Sequence, residues 1–416
     1  MEQPPTKQQI GDLKAKGTSS DDERRIVKRL QQSCYLDCNN RPLDAKKRLL
    51  AQYRKDGLVL FLGAGVSCGS GIPSWTCLIR RLLSRVGITT DYAVIQRVFP
   101  SLLSQFDLAA QKLSTPLDFA RELYRCLYED LKSKDLLKEI PKAPKKEAEW
   151  DKWDEVVTEL QQNETLKAVG ELLILDQGEC QMRNPQIHAV LTTNADNLLE
   201  IYCRARTRGK SRILTMVDRS SVGDHPDRIS VYHLHGSLDA RGENIVRTDG
   251  PCGQIPTGGL EKVDGDLLPD LVFRESEYYE AIANPLSFVN HAPQSYLQRL
   301  NVLFVGTSLD DLNIRRWLYN SFCERVQHRK KYLREYYCHV YPDVEYEAKL
   351  ESRRHFWLRT KTDVPAEVVD LAEVSAKELG VQIIWCDNYA EVQSCLNHLK
   401  QDGHEPNFDR RCPDEI

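Results

Sequence analysis

Residues 57–75 read Gly-Leu-Val-Leu-Phe-Leu-Gly-Ala-Gly-Val-Ser-Cys-Gly-Ser-Gly-Ile-Pro-Ser-Trp. The apolar run from Leu58 to Leu62 has the length and residue types of a buried strand. It breaks into a loop carrying Gly63, Gly65, Gly69 and Gly71, and the sequence from Trp75 to Leu83 reads as a helix. Strand, glycine loop and helix in that order bring backbone N–H groups close to a phosphate. Glycine lets the main chain approach, and a helix N-terminus adds roughly half a positive charge. The stretch therefore predicts a nucleotide site.

Around it the patterns alternate. Strands are expected at 57–62, Ile187–Thr193, Ile229–Leu234 and Val302–Val305, near Tyr337–Tyr341, and at Val381–Trp385. Helical spacing fills much of what separates them, notably Asn313–Arg325, Pro365–Leu379 and Tyr389–Leu399. A long helical block follows the first strand, about residues 76–175, with runs at Leu102–Leu113, Leu117–Leu131 and Trp150–Leu175 and a hydrophilic linker at Pro141. Strands alternating with helices predict an α/β fold with a mostly parallel sheet covered on both faces. The expected organisation is a polar N-terminal arm over 1–40 with a short helix at Asp21–Gln32, a main domain over 41–400 containing the helical insert, and a tail over 401–416.

Composition limits the function. The chain has 416 residues, 41% hydrophobic and 28% charged, enough for one large domain with insertions or for two. No run reaches the ~18 apolar residues of a membrane span, and the opening Met-Glu-Gln-Pro-Pro-Thr-Lys has no apolar core to act as a secretory signal. A cytoplasmic protein without membrane contact is expected. Lys and Arg number 57 against 61 Asp and Glu, which argues against a protein that coats nucleic acid. The alternation Arg204, Arg206, Arg208, Lys210, Arg212 leaves local contact with nucleic acid open, although a solvated loop explains it as well. The thirteen cysteines are scattered without a Cys-x-x-Cys pair, a pattern of reduced thiols and not of a zinc site or disulfide framework.

Four polar motifs fall at the carboxyl ends of expected strands, where ligands gather in open α/β sheets. They are Gly63-Ala64-Gly65-Val66-Ser67, Thr192-Thr193-Asn194-Ala195-Asp196, His233-Leu234-His235-Gly236-Ser237 and Gly306-Thr307-Ser308-Leu309-Asp310. The first is no P-loop, because no Lys-Ser or Lys-Thr follows its last glycine. It also misses the Gly-x-Gly-x-x-Gly fingerprint by one place, with the third glycine at 69. Asn194 and Asp196 have two readings: caps of the helix beginning near Leu198, or an amide that holds a water or ribose hydroxyl with a carboxylate orienting it. His233 and His235 point the same way from a strand. His235, beside Gly236, has room for a ligand and an ordinary pKa suited to accepting a proton. His233, further back, reads as a packing residue. No third ligand accompanies the two histidines, so no metal is expected.

Together and in this order the four motifs, with Ser70-Gly71-Ile72-Pro73, resemble the sirtuin superfamily over about residues 55–400. That resemblance implies a doubly wound, Rossmann-like sheet that binds NAD. The glycine loop (Gly63, Ala64, Gly65, Ser67) would take the pyrophosphate, and Thr193, Asn194 and Asp196 the nicotinamide-ribose side. His235 would be the base, Thr307 and Ser308 would contact ribose and phosphate, and Trp385-Cys386-Asp387 would lie where such proteins touch adenine. Departures are equally informative. Deacylating sirtuins have Asp-Phe-Arg where this chain has Ser74-Trp75-Thr76, and they carry two Cys-x-x-Cys zinc pairs where only Cys252 stands here. Leu309-Asp310-Asp311 replaces their peptide-docking segment.

These changes resemble the sirtuin-like NADases of bacterial antiphage defence, which include the Thoeris effector and the sirtuin-like partner of HerA-type ATPases. On that resemblance the expected activity is NAD+ glycohydrolysis to nicotinamide and ADP-ribose, with Asn194, His235 and Asp196 catalytic and NAD as substrate. Control is expected through homo-oligomerisation or a complex with a HerA-type ATPase. An NAD-dependent protein deacylase and a non-enzymatic NAD or ADP-ribose sensor are the alternatives.

Overall fold

The computed structural model describes residues 43–140, 147–175, 187–209, 213–216, 228–241, 260–263, 266–269, 271–284, 286–337, 344–362 and 364–402. The expected arm with its helix at Asp21–Gln32, the linker at Pro141 and residues 403–416 lie outside them, as do Lys210 and Arg212.

Among the described residues, seven strands form one sheet: β1 (Leu58–Leu62), β2 (Ile187–Thr192), β3 (Ile213–Met216), β4 (Ile229–His233), β7 (Val302–Val305), β8 (His355–Thr360) and β9 (Val381–Cys386). Their order is β3-β4-β2-β1-β7-β8-β9, and every pairing is parallel. A separate antiparallel hairpin pairs β5 (Leu260–Val263) with β6 (Asp266–Pro269). With β3 set aside as an added edge, the sheet has the doubly wound order 3-2-1-4-5-6. The chain winds outward from β1 through β2 to β4, then returns to the middle as β7 and winds the other way. β1 and β7 are hydrogen-bonded neighbours, so the topological switch lies between them.

Strand β1 shows why the sheet is covered on both faces. All five of its residues are buried, and successive side chains point to opposite sides. Leu58, Leu60 and Leu62 join a core built with the helices of the block after β1 and with helices Ala45–Asp56 and Tyr389–Asp402. Val59 and Phe61 join the opposite core with helices Phe288–Arg299 and Leu312–Tyr337, and Ala376 of helix Ala366–Lys377. Burial on both sides is what a parallel sheet requires.

Several elements differ from the sequence expectation. The aromatic and β-branched residues near Tyr337–Tyr341 suggested a strand, but helix Leu312–Tyr337 runs through Tyr337, and 338–343 lie outside the described residues. The strand beside β7 is instead His355–Thr360. Its Arg359 stacks over the rings of Trp357 and Trp385, so a charge that masked the pattern sits at the rim on aromatic faces. The run Trp150–Leu175 is two helices, Glu147–Leu160 and Glu164–Leu175. Between them the Asn163 side chain donates to Val66 O (2.8 Å) and Ser70 Oγ (3.0 Å) and accepts from the Leu166 N–H (3.2 Å). The alternating arginines are tied to neighbours: Arg204 lies over Trp153, Arg206 pairs with Glu171, and Arg208 pairs with Asp154.

The switch point explains two glycines. A Cβ on Gly63 would lie 2.6 Å from Gly306 O and 2.7 Å from Thr307 Cβ, and one on Gly65 would lie 2.8 Å from Gly306 Cα. The Gly65 N–H donates to Gly306 O at 2.8 Å. Gly306 itself has φ +67°. Backbone meets backbone, with no space for side chains. Gly63 has an ordinary φ of −117°, so Gly63→Ala tests the contact alone. We expect a loss of about 1–3 kcal/mol from overpacking, measured as a lowered urea midpoint. An unchanged midpoint would contradict the contact.

Candidate functional site

The carboxyl ends of β1, β2, β4 and β7 bring Gly63–Ser67, Thr193–Asp196, His233–Ser237 and Gly306–Asp311 to one edge of the sheet. The polar residues at its centre are nearly inaccessible: Asn194 is 8% exposed, His235 5% and Asp196 4%. Their hydrogen bonds form a chain. The Asn194 amide Nδ2 donates to Gly63 O (3.2 Å) and to Ser67 Oγ (3.3 Å). The Ser67 hydroxyl donates to Asp196 Oδ1 (2.9 Å), which also accepts from the Leu198 N–H (3.2 Å). Only a donor satisfies the Gly63 carbonyl, so the amide orientation follows from the network. Asn194 Oδ1 is left buried without a hydrogen-bond partner.

Asp196 thus accepts from the first turn of helix Leu198–Arg206, whose N-cap position is Asn197, and through Ser67 it also holds Asn194. Burial pushes the Asp196 carboxyl up to about 6, against the lowering effect of its bonds from Ser67 and Leu198. His233 anchors the same segment. Its Nδ1 is 2.9 Å from Asn194 O and its Nε2 2.5 Å from Glu200 Oε1. Burial disfavours its charge, but Glu200 outweighs that and raises its pKa. It is a brace for the Asn194 backbone, as its position further back in β4 suggested.

His235 follows β4. Its Nδ1 is buried without a partner, and burial lowers its pKa while Asp311 opposes the shift. The imidazole is therefore neutral at pH 7 and able to accept a proton. Trp75 packs against it edge-on at 5.7 Å, and Trp75 also contacts Phe106 and Phe273. Between Trp75, Phe273, Ala64, Ile72, Asn194 and Asp196 lies a cavity of about 20 Å³, room for one water molecule and not for an aromatic ring.

The remaining predicted residues are less gathered. The N–H groups of Gly63, Gly65, Val66 and Ser67 donate to carbonyls of Val305, Gly306, Gly63 and Ala64, so these glycines answer first to backbone packing. Thr193 is buried with its N–H on Leu62 O (3.3 Å). Thr307 is half-buried with its carbonyl on Trp357 Nε1 (2.9 Å), and Ser308 is exposed. Asp387 is exposed after the edge strand β9, paired with Lys361 at 2.9 Å, two strands beyond β7 in the sheet order. The sequence reading gave no role to Asp311, Tyr278 or Phe273. Asp311 lies within Gly-Thr-Ser-x-x-Asp just before a long helix, a spacing that signals an N-cap but not its neighbours. Among the described residues no cluster of three or more His, Cys, Asp or Glu is arranged for a metal, and no helix is long and apolar enough to cross a membrane.

Residues 188–361 match the model of the SIR2-like domain. The matched stretch is under half of the chain. It includes Asn194, Asp196, His235 and the Gly306–Asp311 segment, whereas the glycine loop and Asp387 fall outside it. A solved structure described as a Sir2 homolog–NAD complex is similar over 86% of this chain and 96% of its own, at 15% identity and a TM-score of 0.33. At that score the likeness carries no weight for fold or function. No curated protein matches the chain.

The Asp196 pKa fixes a pH signature. An unfolded aspartate titrates near 3.9, and the folded one at about 6. Between these values the folded chain retains a proton that the unfolded chain releases. The stabilising contribution is then complete below about pH 4 and lost as pH rises through about 6. Asp196→Asn removes this dependence. The unfolding free energy of the variant minus that of the wild type should climb between about pH 4 and pH 6 and level off above. A flat difference across that window would reject the burial effect.

Proposed function

We propose that the chain is an NAD+ glycohydrolase acting at the β1–β7 switch point. The observation that carries this reading is a pair of buried polar atoms without partners, Asn194 Oδ1 and His235 Nδ1, just past the ends of the neighbouring strands β2 and β4. Leaving such atoms unpaired costs about 1–3 kcal/mol each. A ligand or water that donates hydrogen bonds to both relieves that cost. The SIR2-like match over 188–361, together with the resemblance of the four motifs to NAD-binding sirtuins, suggests the dinucleotide as substrate.

In the reaction the bond between ribose C1 and the nicotinamide nitrogen breaks, and its electron pair stays with the pyridine ring. A water oxygen bonds to C1 in its place. The proton that this water loses goes to a ring nitrogen of His235, either directly or relayed through a ribose hydroxyl that gives its own proton to the imidazole and takes the water's. Asn194 fixes the donor through Oδ1, because its Nδ2 is already committed to Gly63 O and Ser67 Oγ. Asp196 keeps that amide in place through Ser67. Ala64, Thr193, Thr307 and Ser308 are assigned to the ribose and phosphates, with Gly63 and Gly65 shaping the floor, and Asp387 to the adenine end. Products are nicotinamide and ADP-ribose.

The cavity beside Asn194 admits one water-sized group, so entry of the nicotinamide ring requires the Trp75–Phe273 contact to open. Such a closed resting site suits an enzyme whose free activity would drain the NAD+ of its own cell. We therefore extend the reading to a defence effector released by self-assembly or by a partner such as a HerA-type ATPase, on the resemblance of its motifs.

Asn194→Ala and His235→Ala are each expected to lower nicotinamide release by at least about 100-fold while leaving the melting temperature near that of the wild type. The assay is chromatography of nicotinamide and ADP-ribose, with the protein alone and mixed with the products of neighbouring genes. Wild-type release by both variants would overturn the assignment.

A further inference from the structure

Proton transfer to His235 needs a defined ring nitrogen, and the groups around the ring specify one. The Nδ1 side is buried and partnerless. The Nε2 side faces Asp311 Oδ2 at 3.9 Å. The other oxygen of Asp311 is held from three directions. Oδ1 accepts from the Tyr278 hydroxyl (2.9 Å), the Asn313 N–H (2.7 Å) and the Ile314 N–H (3.2 Å). The Tyr278 hydroxyl in turn accepts from the Asn313 N–H at 3.0 Å. Three donors on one oxygen fix the carboxylate plane and turn the second oxygen toward the histidine.

We propose that Asp311 is a positioning residue for His235: it holds the ring proton on Nε2 and thereby makes Nδ1 the atom that accepts the proton in catalysis. A neutral imidazole has one donor and one acceptor nitrogen, and the hydrogen bond made by one decides the role of the other. A partly buried carboxylate beside the ring also stabilises the imidazolium that forms when Nδ1 is protonated, without taking the proton itself. The 3.9 Å approach is longer than a hydrogen bond, and contacts of this kind tighten when substrate binds. Asp311 comes from the start of helix Leu312–Tyr337, the Trp75 ring from helix Trp75–Arg85, and Tyr278, acting through Asp311, from helix Glu275–Ala283. Among the described residues Asp311 is the charged group that acts on His235, and Arg316 acts on Tyr278 behind it.

Asp311 also caps its helix through the Asn313 and Ile314 N–H groups. Capping accounts for Oδ1 but not for Oδ2. Asparagine caps a helix about as well as aspartate, so Asp311→Asn removes the charge and keeps the cap.

The inference rests on His235 being the proton acceptor in the proposed reaction, and the test separates the two claims. The tautomer and titration of His235 are read by nitrogen-15 NMR of histidine-labelled full-length protein without NAD, with His235→Ala identifying the signal. The wild type should show the Nε2–H tautomer. Asp311→Asn should lower the His235 pKa and weaken the tautomer preference at an unchanged melting temperature. In nicotinamide release, kcat should fall by about 10- to 100-fold with little change in KM, and the acid limb of the pH profile should move to lower pH. Tyr278→Phe, which frees one hold on Oδ1, should shift tautomer and rate the same way by less, and it serves if Asp311→Asn fails to fold. An Nδ1–H tautomer in the wild type, or unaltered tautomer and titration in the folded variants, overturns the proposal. The expected NMR result with no nicotinamide release by the wild type overturns the glycohydrolase reading and leaves the Asp311–His235 coupling standing.

Discussion

The site depends on a contact that involves no side chains. Where the sheet reverses its winding, the turn after β1 and the turn after β7 touch through Gly63, Gly65 and Gly306, and a hydrogen bond from the Gly65 N–H to Gly306 O closes the approach. The strands on either side are hydrogen-bonded neighbours buried in both cores, so their ends have little freedom to separate. Everything else at the edge is placed relative to this contact. Asn194 reaches back to the Gly63 carbonyl, Ser67 follows from the same turn to meet Asp196, and Asn163 supports the loop from the helical block.

Around that frame the polar groups divide into those that are satisfied and those that are not. Ser67 and Asp196 spend their capacity on each other and on neighbours, as does the nitrogen of the Asn194 amide. Asn194 Oδ1 and His235 Nδ1 do not. They are two of several buried polar atoms left without partners among the described residues, and both belong to segments that follow neighbouring strands at the carboxyl edge of the sheet, where a ligand could satisfy them. Burial sets the ionisation as well: it lowers the pKa of the His235 imidazole and lifts the Asp196 carboxyl to about 6. Asp311 opposes the shift at His235.

How much of this was legible depended on whether the deciding contact was local. Strand β1 was readable because five apolar residues run directly into a glycine loop, with a helical pattern following from Trp75. Asn194 and His235 stood out as polar residues just past apolar strands. The glycines were readable as a close approach, but the sequence could not tell that the approaching group is Gly306. Strand β8 was hidden because the charged Arg359 interrupts its pattern, and the aromatic faces it lies over include one from β9. Tyr337 has strand-forming character in isolation, yet it continues a helix begun at Leu312. Asp311 stood in the sequence only as part of the Leu309-Asp310-Asp311 segment, and its relation to His235 arises only in the fold, where two strands, β2 and β1, separate β4 from β7.

The glycine junction has a consequence for how such a site can diversify. Because its spacing is set by main-chain atoms in contact, substitution cannot widen or narrow it gradually; any added carbon collides at under 3 Å. Variation is confined to positions beside the junction that already carry side chains, such as Ala64 and Ser308. Descendants of this scaffold can therefore change what they hold at the rim far more freely than how far apart the two halves of the cradle stand.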